Sequence, residues 1–291
     1  MPELSLAPRR AVSSLPPMVA RPELLDIDSP YPLNADQIAR FRRDGYIKLK
    51  QVLSPEVIAH YGPIITQEVY RLNTMHLPLE QRDTYSKAFL QVGNIWTKHA
   101  AVKEFCWGQR IARMAAELLG VSGVRMYHDQ ALYKEPGGGV TPWHADQYYW
   151  PLSNANTVTA WIPLQATPME MGPLAFAKGS HKFEAGRELG ISDESEKAIG
   201  RSMKEHNYPL DDTPFDLGEV SFHYGWTFHR AGRNVSTQPR AVMTIIYMDE
   251  DIRLIAPETK AREGDRAAFA SDVEVGGIMN GKMTPVIYST R

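Results

Sequence analysis

Ala241-Val242-Met243-Thr244-Ile245-Ile246-Tyr247-Met248 is an unbroken run of β-branched, aromatic and other apolar residues with one threonine inside it. It is far shorter than the roughly 18 to 20 residues a membrane span needs, and Pro239-Arg240 and Asp249 bound it, so it reads as a strand. Upstream, similar short runs rich in Val, Ile, Thr, Tyr and Trp, punctuated by Gly and Pro, lie near 124–134, 141–149, 157–165, 173–177, 218–223 and 226–229. Many short strands with turn signals and no helices between them predict a mainly β fold, an antiparallel sandwich or barrel.

Helices precede that series. Asn34 and Gln37 are spaced as a capping box, Ile38 and Phe41 share one face, and Gly45 supplies the stop. Ser54-Pro55 opens a second helix, in which Val57, Ile58, Tyr61, Ile64, Ile65 and Val69 form an apolar stripe. A further helical pattern runs from about Ala100 to Leu119 and ends at Gly120. Residues 1–31 are proline-rich and aperiodic, and read as a mobile or surface-hugging tail. Residues 182–215 are charged and poorly periodic, long for a plain connection, and read as a lid or binding loop. One domain over 32–291, closing with a C-terminal segment at 250–291, is the simplest organisation.

Bulk properties narrow the function. Thirty-two basic against 34 acidic residues leave a formal charge of −2, which gives no electrostatic reason to expect nucleic acid or an anionic membrane as partner. The single cysteine, Cys106, cannot form an intramolecular disulfide and reads as a small residue packed in a helix. No apolar leader is visible, Glu3 argues against a transit peptide, and Ser289-Thr290-Arg291 is not a peroxisomal address. The expectation is a soluble, cytoplasmic protein.

Chemistry concentrates at Trp143-His144-Ala145-Asp146. On a strand, side chains alternate faces, so His144 and Asp146 point the same way and offer an imidazole nitrogen and a carboxylate oxygen together. These are two of the three ligands of a facial triad, a set that suits Fe(II) and leaves positions open. His229, late in another expected strand, is the candidate third. Arg240 stands at the mouth of the apolar strand. Either it is a solvated edge residue, or its guanidinium fork binds a carboxylate.

The sequence resembles the phytanoyl-CoA dioxygenase (PhyH-like) family of Fe(II)/2-oxoglutarate oxygenases. The similarity runs through the entry Leu33 to Tyr46, ending Arg43-Asp44-Gly45-Tyr46, and through Lys134-Glu135-Pro136-Gly137-Gly138-Gly139 before the His-x-Asp. It continues in Gly172-Pro173-Leu174, in Gly179-Ser180-His181-Lys182, and in Asp216-Leu217-Gly218-Glu219-Val220 ahead of His229, Asn234 and Arg240. The resemblance implies a double-stranded β-helix (jelly roll, cupin-like) core with N-terminal flanking helices. It puts His144, Asp146 and His229 at the iron positions and Arg240 where the distal carboxylate of 2-oxoglutarate binds. Trp161 matches an aromatic position lining the cosubstrate pocket, although its own context reads as sandwich core. Many relatives carry a serine two residues after the distal histidine, where this chain has Ala231; Tyr133 and Thr159 are candidates for the missing hydroxyl.

The implied activity is a dioxygenase that consumes 2-oxoglutarate and O₂, hydroxylates a small organic molecule and releases succinate and CO₂. Asp146 argues against halogenation, in which relatives replace the acid with Gly or Ala. The same iron centre could catalyse desaturation, rearrangement or epimerisation. A 2-oxoglutarate-independent cupin-type metal enzyme and a non-catalytic ligand-binding module are the competing readings. Of the other histidines, His181 reads as part of a turn and His223 as core or support for the site. His128 and Asp129 face opposite ways and cannot form a second metal pair, though His128 or Gln130 can line a pocket. The glycines at 137–139 read as a turn, and Tyr148, Tyr149, Trp150, Trp143 and Trp226 suggest aromatic pocket walls.

Overall fold

A computed structural model describes residues 25–291. The tail expected over 1–31 lies outside the described residues up to Leu24. Its remainder docks on the body: Ile27 is buried, Asp26 pairs with Arg110, and Asp28 Oδ1 accepts from the Gln109 N–H.

The helical entry follows its capping signals. In α1 (Ala35–Asp44) the Asn34 side chain accepts from the Gln37 N–H at 2.8 Å while Gln37 Oε1 accepts from the Asn34 N–H at 2.9 Å. Gly45 stops the helix at φ 86°, where a Cβ would lie 2.3 Å from the His181 ring. Only glycine permits that turn without moving His181. β1 (Tyr46–Leu49) and α2 (Pro55–Leu72), capped by Ser54, come next. The short α3 (Thr84–Ala88) and β2 (Leu90–Gly93) follow. The 100–119 pattern divides at Trp107-Gly108 into α4 (Ala100–Cys106) and α5 (Gln109–Leu119).

The strands then build two facing sheets. They are β3 (Gly123–Tyr133), β4 (Thr141–His144), β5 (Thr157–Pro163) and β6 (Leu174–Ala177), then, beyond α6 (Asp193–Glu205), β7 (Leu210–Asp211), β8 (Val220–Tyr224), β9 (His229–Ala231) and β10 (Val242–Asp249). α7 (Lys260–Phe269) and β11 (Val286–Ser289) complete the chain. The larger sheet runs β1-β8-β5-β10-β3-β11, with β2 also on β3; the smaller runs β4-β9-β6-β7. All strand pairs among the described residues are antiparallel. This is the double-stranded β-helix the sequence resemblance implied.

Period-2 alternation divides the larger sheet into an outer and an inner face. Val158, Ala160 and Ile162 of β5 and Met243, Ile245 and Tyr247 of β10 pack outward in one core cluster with Val57, Tyr61 and Ile65 of α2, Phe105 of α4 and Ile111 of α5. Thr159 and Trp161 of β5 and Thr244 and Ile246 of β10 point inward at the smaller sheet. Both faces of β10 are therefore covered, which is why it reads as a near-continuous apolar run.

Three boundaries differ from the sequence reading. The strand expected over 141–149 ends at His144, because Asp146–Tyr149 winds into a 3₁₀ turn. The strand expected over 226–229 is β9, which begins at His229 instead of ending there. The aperiodic 182–215 region contains α6, opened by a Ser192–Ser195 capping box. No helix among the described residues is long and apolar enough to cross a membrane.

Candidate metal centre

β4 and β9 are neighbours, and their register places His144 directly opposite His229, ring centroids 4.1 Å apart. Ala145 stays extended and hands the chain to the 3₁₀ turn that Asp146 opens. Side-chain alternation thus survives one residue past the strand, and the carboxylate swings round to the imidazoles. Ligand atoms of His144, Asp146 and His229 all lie within 4.8 Å of one another, the one such His/Asp/Glu/Cys cluster found among the described residues.

The imidazoles are locked from behind. His144 Nδ1 faces the Pro142 carbonyl at 2.7 Å and His229 Nδ1 faces the Thr227 carbonyl at 2.9 Å. A ring that donates through Nδ1 presents its Nε2 lone pair, and both Nε2 atoms lie 3.6 Å from Asp146 Oδ1. Metal–ligand bonds of about 2.1 Å at right angles require ligand atoms about 3 Å apart, so the three sit slightly open around one ion. The second oxygen, Oδ2, turns to the larger sheet, accepting from Thr159 Oγ1 at 2.8 Å and facing His223 Nε2 at 3.2 Å.

The electrostatics agree with that arrangement. Burial would raise the Asp146 carboxyl, but His229, His144 and His223 outweigh it and hold the group well below the usual carboxylate range. Burial, reinforced by neighbouring His144, holds His229 well below the usual imidazole range, which keeps it unprotonated. A half-buried carboxylate beside lone-pair-bearing imidazoles is the donor set of a mononuclear divalent metal site with open positions.

The cluster lines a cavity of about 350 Å³ between the sheets. Arg240 lies at one end, 1% exposed. Its Nη1 donates to the Gly172 carbonyl at 2.6 Å, its guanidinium lies 5.4 Å from the Trp161 ring centroid, and its Nε has no partner among the described residues. No carboxylate bonds to it among the described residues, and burial brings its pKa down to about 9. Leaving a buried cation unpaired costs about 3–5 kcal/mol, which excludes the solvated-edge reading and calls for an anion.

Gly172 shapes that end. At φ 66° a Cβ would meet the Gly232 carbonyl at 2.3 Å, so glycine alone lets this turn approach β9 and aim its carbonyl at Arg240. Trp161 does line the cavity, packed with Leu174, Phe176, Ala231 and Val242.

The two candidates for the hydroxyl missing at Ala231 are placed elsewhere. Tyr133 faces the outer core, and its OH bonds to Thr66 Oγ1 of α2 at 2.8 Å; strand alternation turns it away from the face on which His128, Gln130 and Leu132 line the cavity. Thr159 lines the cavity, but its proton goes to Asp146 Oδ2, so it holds the acid. The sequence reading missed Thr141, which pairs directly with Ala231 across β4–β9 and lines the cavity. Its Oγ1 accepts from the buried Lys134 Nζ at 3.3 Å, leaving its own proton free to donate.

The remaining histidines separate as their positions require. His128 and Gln130 both line the cavity, whereas Asp129 points outward and accepts from the Ile95 and Trp96 N–H groups, each at 2.9 Å. Cys106 is buried beside Asp129. His181 faces the Arg42 carbonyl at 3.2 Å in its turn, and His223 supports Asp146.

The phytanoyl-CoA dioxygenase (PhyH) family model matches residues 41–242. An ectoine dioxygenase of Streptomyces coelicolor is 22% identical over 254 residues, covering 79% of this chain and 82% of the relative. A 1-deoxypentalenic acid 11-beta-hydroxylase of Streptomyces exfoliatus is 31% identical over 216 residues, covering 67% and 73%. In fold, the crystal structure of the non-heme alpha ketoglutarate dependent carbocyclase SnoK superposes with a TM-score of 0.73 at 23% identity, covering 89% of this chain and 100% of that one. With the family model spanning more than half of its length, the chain belongs to the phytanoyl-CoA dioxygenase family and is a non-haem Fe(II)/2-oxoglutarate-dependent dioxygenase.

Proposed function

We propose that His144, Asp146 and His229 hold the iron, that Arg240 takes the distal carboxylate of 2-oxoglutarate, and that the reaction hydroxylates a small organic substrate. The observation that carries this reading is Arg240: a fully buried guanidinium without an acid, in the same cavity as two oriented imidazoles and a carboxylate. When bound, Fe(II) with 2-oxoglutarate and O₂ supplies an oxidant able to break a C–H bond, with release of succinate and CO₂.

The chain's own residues bind, orient and exclude water. The Pro142 and Thr227 carbonyls fix the imidazole tautomers. Thr159 and His223 occupy one oxygen of Asp146, so only the other is presented to the ion. Arg240 offers a bidentate fork, Trp161 covers it, and Thr141 supplies the hydroxyl that Ala231 lacks. The 182–215 region serves as the lid of a single 32–291 domain. Ile191 lines the cavity and donates its N–H to Tyr149 OH at 2.9 Å, and Glu196 of α6 accepts from the Trp143 N–H at 2.9 Å. A cytoplasmic setting belongs to the proposal, since the buried Cys106 asks for no oxidising compartment.

The test is an anaerobic titration of the Fe(II)-loaded protein with 2-oxoglutarate. A weak visible absorption band that grows to saturation supports the reading. A protein that stays colourless while retaining iron favours a metal enzyme that does not use this cosubstrate.

A further inference from the structure

The part of the cavity remote from Arg240 has its own chemistry. Arg240 and Ile246 both line the cavity and are six residues of extended chain apart, roughly 20 Å. Beside Ile246, β3 contributes His128, and α7 closes the wall with Ala261, Gly264, Asp265, Ala268 and Phe269.

His128 is held in one state by a chain of hydrogen bonds. Tyr85 OH donates to Gln91 Oε1, Gln91 Nε2 donates to Gln130 Oε1 at 3.0 Å, and Gln130 Nε2 reaches His128 Nδ1 at 3.3 Å. A nitrogen that accepts from an amide carries no proton, so the ring proton sits on Nε2. Burial brings the His128 pKa down to about 4, so the ring is neutral. Phe269 stacks on it at 4.3 Å, and Trp150 packs edge-on at 6.4 Å.

Asp265 is brought there by a β-bulge. The register between β10 and β3 slips so that Ile246 faces His128 while Tyr247 faces Met126, leaving Tyr127 as the extra residue. A bulge breaks strict alternation and re-aims side chains, which is how the consecutive Tyr127 and His128 both reach α7. The Tyr127 hydroxyl donates to Asp265 Oδ2. Oδ1 has no partner among the described residues, and burial raises the carboxyl to about 7.

The face of α7 around Asp265 is cut back. Ala261, Gly264 and Ala268 recur at helical spacing, and with Gly264 and Ala268 exposed this small-residue face forms the rim where the cavity opens to solvent. Aromatic and aliphatic side chains, Tyr149, Trp150 and Ile246 among them, form the rest of this wall. Apart from tyrosines and histidines, the ionisable side chains lining the whole cavity are, among the described residues, Asp146, Arg240 and Asp265, so no cation among the described residues faces Asp265 across it.

We propose that the α7 end of the cavity binds an uncharged, ring-bearing substrate through one hydroxyl group, which accepts from His128 Nε2–H and donates to Asp265 Oδ1. This rests on reading the cavity as an Fe(II)/2-oxoglutarate site. The Trp150, Phe269 and Ile246 side chains around His128 take the ring, and the paired donor and acceptor select a hydroxyl over an ether or a bare hydrocarbon.

The test uses protein loaded with Fe(II) and 2-oxoglutarate under argon and three probes: 2-naphthol, 2-methoxynaphthalene and naphthalene. Binding is followed by quenching of tryptophan emission. The parent should bind 2-naphthol about tenfold more tightly than 2-methoxynaphthalene, which still accepts but no longer donates. Asp265→Ala should bring that ratio to about one, while Asp265→Asn, whose carbonyl oxygen can face the probe while its amide donates to the Tyr127 oxygen, should retain it. His128→Leu should weaken both oxygen-bearing probes alike and leave naphthalene unchanged. The proposal is overturned if 2-naphthol does not bind, if the parent binds the three probes equally, or if Asp265→Ala keeps the preference. The visible band with 2-oxoglutarate, recorded on the same samples, reports separately on the cosubstrate reading.

Discussion

Among the described residues, Arg240 buries a cation at one end of the cavity with no acid beside it, and Asp265 at the other end holds an acid with no base beside it. Their surroundings differ as much as their signs. Arg240 is set by strand register, a glycine turn and an aromatic lid, so its position is rigid. Asp265 rides on a helix that packs on the sheet through Tyr127 and Phe269 and leaves open space beside Gly264. A rigid buried charge suits a ligand that never changes, and a half-buried, partly neutralised acid suits a less polar molecule that arrives and leaves.

The largest effect should come from the cationic end. Arg240→Met removes one partner of a buried ion pair with the cosubstrate, and KM for 2-oxoglutarate should rise about 100-fold. Arg240→Lys should not restore it, because a point charge lacks the planar fork. An unchanged KM would place the cosubstrate elsewhere. Next, Thr159→Val strips a hydrogen bond from Asp146 Oδ2, and Fe(II) affinity measured by competition with a chelator should fall about tenfold or more. If Thr159 instead served the cosubstrate, KM would move and iron affinity would not.

A smaller change is expected from Thr141→Val, about fivefold in KM for 2-oxoglutarate with kcat retained. Tyr133→Phe should leave both constants unaltered, since its hydroxyl serves Thr66. The effect at the acidic end is read in stability. Burial holds the Asp265 carboxyl at about 7 in the folded protein, against 3.8 for a free aspartate. Between those values the folded protein keeps a proton that the unfolded chain releases, so this group's contribution to stability is present below about pH 4 and is lost as pH rises to about 7. The Tm of Asp265→Asn relative to the parent should climb across that window and level off above it. A flat difference would mean that Asp265 is solvated.

The same contrast separates what could be read in the sequence from what could not. The His144–His229 end was legible because period-2 alternation, local spacing and ordered motifs carry it. β10 announced itself by burying both faces, and Asn34, Ser54, Gly45 and Gly120 marked helix ends by local chemistry. The 141–149 expectation ran past His144 because Gln147-Tyr148-Tyr149 has strand-like composition, while the chain is turned by tertiary bonds such as Gln147 N–H to the Gly225 carbonyl. Thr141 was invisible because its importance lies in which residue it faces across a bulged pair, not in its neighbours in sequence. Asp265 and the Tyr127 bulge were hidden for the same reason. A register slip leaves no compositional trace, and α7 lies in a stretch without recognisable motif.

Crystals equilibrated with Fe(II) and 2-oxoglutarate under argon, measured at the iron absorption edge, test the central claim most directly. The anomalous peak should fall within bonding reach of His144 Nε2, His229 Nε2 and Asp146 Oδ1, with density for the keto-diacid running from that peak to the Arg240 guanidinium. An iron peak away from those three atoms, or a cosubstrate whose far carboxylate ends anywhere but at Arg240, would contradict the account.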